Sequence, residues 1–298
     1  MTGRAPISAV VLTHNEQANL APCLTSLAGW VGELFVVDSG STDGTRSIAE
    51  RHGARIAEHA FETHARQWLW ALNHLPLQHA WVLALDADQR LTPELQDEIV
   101  GLFTGKGASL DGVDGFYLNR RQIFRGRWIR HGGYYPKYLL KLFRRDRVRI
   151  DERDLIDHHF YVSGPTRTLK HDLVEDNVKE ADIAFWIEKH NRYARLQAQV
   201  EALDQGTHAL TTGSLGSPDE RTARLKRAWA HLPLYLRPVL YFSYRYFIRL
   251  GFLDGKQGFV FHVLQGFWYR LLVDIHLDDL RRQARKAPAA DASSVRGK

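Results

Sequence analysis

Over the first hundred residues, short apolar runs rich in β-branched residues alternate with segments of helical spacing. Ile7–Leu12, Leu34–Val37 and Trp81–Leu85 read as buried strands, with Arg55–Glu58 a shorter one. Between them Asn19–Leu27, Thr45–His52 and Ala65–Leu75 carry apolar positions at helical intervals, and Thr92-Pro93-Glu94 reads as a helix start with proline at its first position. This strand–helix rhythm predicts an α/β fold built on a doubly wound, mostly parallel sheet.

The punctuation changes after Leu102. Gly101, Gly105, Gly107 and Gly112 break the pattern, and Gly115–Phe124 and Leu139–Phe143 follow as strands joined by a loop rich in Arg, Gly and aromatics. Thr166–Lys170 reads as a strand and Asp182–Leu203 as a long helix. The expected organisation is a first half over residues 1–110, a second half over 111–205, a Gly/Ser/Pro linker over 206–220, aromatic and basic helices over 221–280, and a disordered polar tail over 281–298.

Composition narrows the class. The chain has 298 residues, 44% apolar and 25% charged, as in a folded protein with a sizeable core. One cysteine, Cys23, excludes a disulfide framework and multi-cysteine zinc sites, and reads as a small buried apolar residue. No long apolar run follows the start at Met1, so the expected location is the cytoplasm. The net charge of +6 fits phosphorylated substrates, a membrane surface or nucleic acid, and its position along the chain has to decide.

Ligands of open parallel sheets sit at the carboxyl ends of the strands, where three polar clusters fall here: Thr13–Glu16, Asp38–Asp43 and Asp86–Asp88. Asp86 and Asp88 can turn two carboxylates toward one point, and with diphosphate oxygens they make a half-built octahedral site for Mg²⁺ or Mn²⁺. The charge of a diphosphate calls for a cation as well. Arg66 is one candidate, and a second is the cluster Arg120, Arg121, Arg125, Arg127 and Arg130, interleaved with Trp128, His131, Tyr134 and Tyr135 in a mixture suited to anions and sugar rings.

The segments Ile7–Glu16, Val36–Thr45 and Leu85–Asp88 together resemble glycosyltransferase family 2, inverting enzymes of GT-A fold that use nucleotide-diphosphate sugars. The resemblance implies that Leu12, His14 and Glu16 lie along the nucleotide, that Asp38 bonds base or ribose, and that Asp86 and Asp88 serve ribose, diphosphate and metal. It further implies that residues 1–110 are the nucleotide-sugar-binding half and 111–205 the acceptor-binding half, and that His171 completes the metal shell. His14 replaces a more usual aromatic residue, and Gln89 stands where Glu often follows. An inverting transfer needs a base on the acceptor side. Asp157, followed by His158-His159-Phe160, resembles the acidic segment of envelope members, with Glu152 as runner-up. Lys189–Tyr193 resembles the positive helix that closes over the diphosphate, or is a plain solvated face.

His231–Leu253 and Gly258–Leu277 are aromatic but carry Arg237, Arg245, Arg249 and Arg270, too many charges for membrane spans. They read as helices lying in the membrane interface, with these arginines attracting anionic lipid, or as helices that pack on the catalytic domain or form a homodimer. With Gly251-Phe252-Leu253-Asp254-Gly255-Lys256 between them, they resemble the tail of lipopolysaccharide-core and envelope-polysaccharide members. The expected function is metal-dependent inverting transfer of a sugar to a lipopolysaccharide, exopolysaccharide or lipid-linked acceptor, peripheral on the inner membrane face and without nucleic acid. A sugar nucleotidyltransferase and a non-catalytic lipid- or RNA-binding module are the alternatives, and oligomeric state is left open.

Overall fold

The computed structural model describes residues 4–105, 110–152, 159–203 and 232–286, and the expected linker over 206–220 lies outside them. The apolar runs form the strands that the pattern predicts: β1 (Ala5–Thr13), β2 (Val31–Asp38), β3 (Arg55–Glu58) and β4 (Trp81–Asp86) are mutually parallel in the order β3-β2-β1-β4. The sheet continues through β8 (Tyr138–Arg144), β6 (Gly115–Phe124), β11 (Thr166–Glu175) and β5 (Gln89–Leu91). Here β8 runs antiparallel to both its neighbours and β5 antiparallel to β11, so six of these eight strands point one way. One sheet therefore spans both expected halves. A two-residue strand β7 (Arg127–Trp128) folds back on β6, and β9 (Val148–Ile150) pairs with β10 (Phe160–Val162).

Both faces of the sheet are covered, which is why its strands are apolar on successive positions. On one face, Ile7, Val11, Leu83, Leu85 and Leu118 pack beneath α1 (Leu20–Thr25), α2 (Thr45–Arg51) and α4 (Pro93–Phe103). On the other, Val10, Val37, Val82 and Phe143 meet Trp68 and Ala71 of α3 (His64–His74). The starts of α3 and α4 are fixed by Thr63 and Thr92, whose hydroxyls accept from the backbone N–H of Arg66 and Leu95.

After α5 (Ile183–Leu203) come α6 (Leu236–Ser243), which continues as a π-helical turn over Tyr244–Ile248, and α7 (Gly255–Phe261), which runs through a second π-helical stretch into α8 (Tyr269–Lys286). The tail expected to be disordered from 281 is helical to Lys286, with an ion pair from Asp278 to Arg282 one turn on. Residues 287–298 lie outside the described chain.

The carboxy-terminal helices are joined to the sheet domain by buried polar bonds. Asp254, 2% exposed, accepts from the His131 backbone N–H (2.9 Å) and lies 2.7 Å from its Nδ1. Arg245 donates to the Gly132 carbonyl at 2.7 Å, and the Gly132 N–H donates to the Arg249 carbonyl at 2.8 Å. The His262 ring sits where a side chain at Gly132 or Gly251 would be, so both positions require glycine. Arg237 departs from the lipid-facing expectation: at 2% exposure its guanidinium bonds Asp274 at 2.5 Å and Glu201 at 2.8 Å, tying α6 to α8 and α5.

Candidate functional site

The loops after β1 and β2 are laced together at the carboxyl edge of the sheet. Asn15 takes a left-handed conformation (φ 53°), its N–H donates to Ser41 Oγ at 2.8 Å, and its side-chain oxygen accepts from the Thr42 N–H at 2.8 Å. The Glu16 N–H donates to Thr45 Oγ1 (2.7 Å) and the Gln17 N–H to Asp43 (3.2 Å). Asp38 is fully buried beneath this weave, accepting from Thr13 Oγ1 (3.1 Å), the Ser41 N–H (2.9 Å) and Ser41 Oγ (2.5 Å). Leu12 is buried in the core, whereas His14 is exposed with Nδ1 3.0 Å from the Ser39 carbonyl oxygen.

Arg66 stands outside this weave, paired with Glu62 and 3.8 Å from Glu152 across the gap to the second lobe. Its neighbour Gln67 is the residue that reaches in: buried, it donates to Ser39 Oγ at 3.0 Å and to the His59 carbonyl at 3.2 Å. Glu152 is therefore brought to the first turn of α3, while Asp157 lies outside the described residues.

Asp86 and Asp88 sit where β4 ends and the chain folds over into β5. Asp86 bonds Lys141 Nζ at 3.0 Å, a lysine only 4% exposed on the neighbouring β8. Asp88 is partly buried, and its pKa is raised well above the usual carboxylate range by loss of water and by the nearby Glu175, Asp86 and Glu16 carboxylates, against Lys189. Glu175 is held at the end of β11 by Gln89 (2.8 Å) and Arg120 (2.8 Å). Beneath them the Cys23 thiol is buried, its pKa pushed up by burial and by Asp88 and Asp86, which leaves it unreactive.

Two further lysines approach. Lys179 bonds Glu16 at 2.6 Å and the Asn15 carbonyl at 3.1 Å, so the segment after β11 crosses to the loop after β1. Lys189, on α5, pairs with Glu180 at 2.6 Å; burial pulls its pKa down, but Glu180, Tyr193 and Asp88 outweigh this and raise it. His190 next to it is turned inward, stacked on Trp186 at 3.5 Å, and burial lowers its pKa to about 4.

His171 is not brought to this cluster. It lies 2.9 Å from Glu98 of α4, at the exposed face of the sheet edge. The following Asp172 turns the other way, is buried, and gathers Asn119 (2.7 Å), Arg121 (2.5 Å) and the Tyr135 hydroxyl (3.2 Å). The sequence reading missed Lys141, Glu175, Lys179 and Gln67. A lysine inside the apolar run Leu139–Phe143 was the one available signal, since an unpaired buried amine is costly and implies a partner carboxylate.

The arrangement places carboxylates and lysines around one crevice, with backbone loops on either side, as a charged phosphorylated ligand requires. The model of glycosyl transferase family 2 matches residues 8–169. An uncharacterized glycosyltransferase of Rickettsia felis is 38% identical over 102 residues, 33% of this chain and 34% of that one, so the match spans about a third of that relative. The lipopolysaccharide core biosynthesis glycosyltransferase LpsC of Rhizobium meliloti is 29% identical over 221 residues, 68% of this chain and 74% of its own. Among solved structures, glucosyl-3-phosphoglycerate synthase from Mycobacterium tuberculosis, in complex with Mn²⁺, uridine diphosphate and glucosyl-3-phosphoglycerate, is 28% identical. That likeness covers 42% of this chain and 45% of that one, with a TM-score of 0.31.

Proposed function

The chain belongs to glycosyltransferase family 2, and on that premise we propose that it transfers a sugar from a nucleotide-diphosphate sugar to a cell-envelope acceptor of the lipopolysaccharide, exopolysaccharide or lipid-linked kind. The observation that carries this reading is the crevice itself: Glu16, Asp86, Asp88 and Glu175 facing Lys141, Lys179 and Lys189 at the carboxyl edge of the sheet.

In this reading the loops Thr13–Glu16 and Asp38–Asp43 form the nucleotide cradle. His14, exposed at its rim, lies along the base, and Glu16 faces the diphosphate side through Lys179. Asp38 acts from beneath, holding the turn that presents Ser39 to Ser41, because its own oxygens are already engaged. The all-oxygen donor set and the carboxylate crowding at Asp88 fit a divalent cation, Mg²⁺ or Mn²⁺, held by Asp86 and Asp88. When bound, such a cation neutralises charge on the departing diphosphate. Lys141 orients Asp86, and Lys189 adds positive charge on the opposite wall. The base that takes the acceptor hydroxyl proton comes from the Asp151–Asp157 segment: Asp157 in the first instance, or Glu152, which lies 3.8 Å from Arg66.

The acceptor reading is supported by the likeness to LpsC, a lipopolysaccharide core biosynthesis glycosyltransferase, and by the carboxy-terminal helices, which expose Val239, Leu240, Phe247, Ile248, Leu250 and Phe252. No helix among the described residues is long and apolar enough to cross a membrane. We assign these side chains to the boundary of the inner membrane face, with exposed Arg249 and Lys256 beside them for anionic lipid.

Thermal stabilisation by a panel of nucleotide-diphosphate sugars, with and without Mn²⁺, tests the donor site. At least one donor should raise the melting temperature more with Mn²⁺ than without it, and a flat panel under both conditions would overturn the reading.

A further inference from the structure

From Arg120 to Arg145 the chain carries nine Arg and Lys residues and no Asp or Glu. This stretch includes the β6–β7 hairpin, which leaves the sheet at the same carboxyl edge as the crevice: Gln122 pairs with Glu175, the residue that faces Asp88.

The hairpin holds Arg121 and Arg130 in place and fixes the backbone that carries Arg125 and Arg127. At its base, buried Asp172 fixes Arg121, Asn119 and Tyr135. Arg121 and Arg130 both lie against Trp128, at 4.8 and 5.3 Å from its ring centre, and Tyr135 packs edge-on to the same indole at 4.9 Å. Ile129 is fully buried against Trp186 and Phe261, and His131 is pinned by Asp254, so the return strand is fixed at both ends. Arg125, Arg127 and Arg130 are exposed, and none has a carboxylate partner among the described residues. By contrast, exposed Arg46, Arg66 and Arg147 each pair with a nearby carboxylate.

Preordered guanidiniums with free donors match phosphate and carboxylate oxygens, since less side-chain entropy is lost when the bonds form. Resting on the transferase reading, we propose that Arg125, Arg127 and Arg130 form an acceptor subsite that selects a saccharide bearing an anionic group, a phosphate or carboxylate. The neutral remainder of the acceptor extends from there toward the crevice, and Arg121 with Trp128 positions Arg130. A lipid headgroup offers the same chemistry, so the test separates the two sources.

Glucose, galactose and mannose, each with its 6-phosphate, are titrated into the full-length protein by ligand-observed NMR, beside inorganic phosphate and anionic-lipid vesicles. At least one 6-phosphate should bind about 5-fold or more tightly than its neutral sugar and than inorganic phosphate, the gain expected from charge-assisted bonds added to sugar contacts. Its binding should weaken with salt. The triple variant Arg125→Gln, Arg127→Gln, Arg130→Gln should lose that preference while binding a nucleoside diphosphate as wild type does. Equal binding of neutral and phosphorylated sugars, an unchanged preference in the triple variant, or inorganic phosphate matching every sugar phosphate would overturn the subsite. So would vesicle binding that requires these arginines and that no sugar phosphate displaces. Failure of the donor reading would show separately, as loss of nucleoside diphosphate binding in the wild type.

Discussion

Asp88 shows how a single residue can be set against stability. Its carboxyl is crowded by burial and by Glu175, Asp86 and Glu16, so its pKa in the fold lies above its value in the unfolded chain. For such a group the favourable contribution is complete below the unfolded value and is lost as pH rises through the folded one; at neutral pH the charge is destabilising. Asp88→Asn should therefore melt at a higher temperature than wild type at pH 7, with the difference shrinking toward pH 4, and it should lose transfer. A scan of melting temperature against pH checks this, and a lower melting point at pH 7 would refute the crowding. Asp38 is the opposite case. Its oxygens accept three bonds in a dry site, so Asp38→Ala should cost about 2–4 kcal/mol in a denaturant titration as well as weaken nucleotide binding. The family motif directs attention to Asp38 as a ligand contact, but one of its three buried hydrogen bonds comes from Thr13, 25 positions away, which no local pattern displays.

At the scale of elements, strands with continuous apolar runs were legible, because burial on both faces removes the need for alternation. The short strands β5, β9 and β10 were not, since three residues carry no period and their pairing partners lie far along the chain. That gap hid half of the crevice: Glu175 enters only because β11 pairs with β5. The same reason explains Arg237, which looks like a headgroup-facing cation until Asp274 and Glu201 are placed beside it. The element that joins the carboxy-terminal helices to the sheet is the turn at Asp254. Asp254→Ala should lower stability by about 1–3 kcal/mol, the scale for leaving buried donors unsatisfied, while donor affinity stays at the wild-type value. Calorimetry of unfolding paired with a nucleotide titration reads both, and unchanged stability would show that the His131 contacts are dispensable.

For the whole molecule, a charged crevice at one sheet edge, a cationic hairpin beside it and an apolar helical surface attached to that hairpin form one continuous arrangement. The hairpin and the helices are bonded through Gly132, His131 and Asp254, so a surface that docks on a bilayer would hold the hairpin at a fixed height above it. Ile248→Glu with Phe252→Glu should abolish flotation with anionic vesicles while leaving nucleotide binding unchanged. Retained flotation would move the membrane contact elsewhere. The central claim, that Asp86 and Asp88 make this a metal-assisted sugar transferase, is tested most directly by following nucleoside diphosphate release from the donor that the stabilisation panel identifies, with Mn²⁺ titrated against wild type and Asp88→Asn. The account predicts release that rises with Mn²⁺ in the wild type and falls by roughly 10²–10³ in the variant, the range for removing a main electrostatic stabiliser of the leaving group. Equal release in Asp88→Asn, or full release in the presence of a chelator, would contradict it.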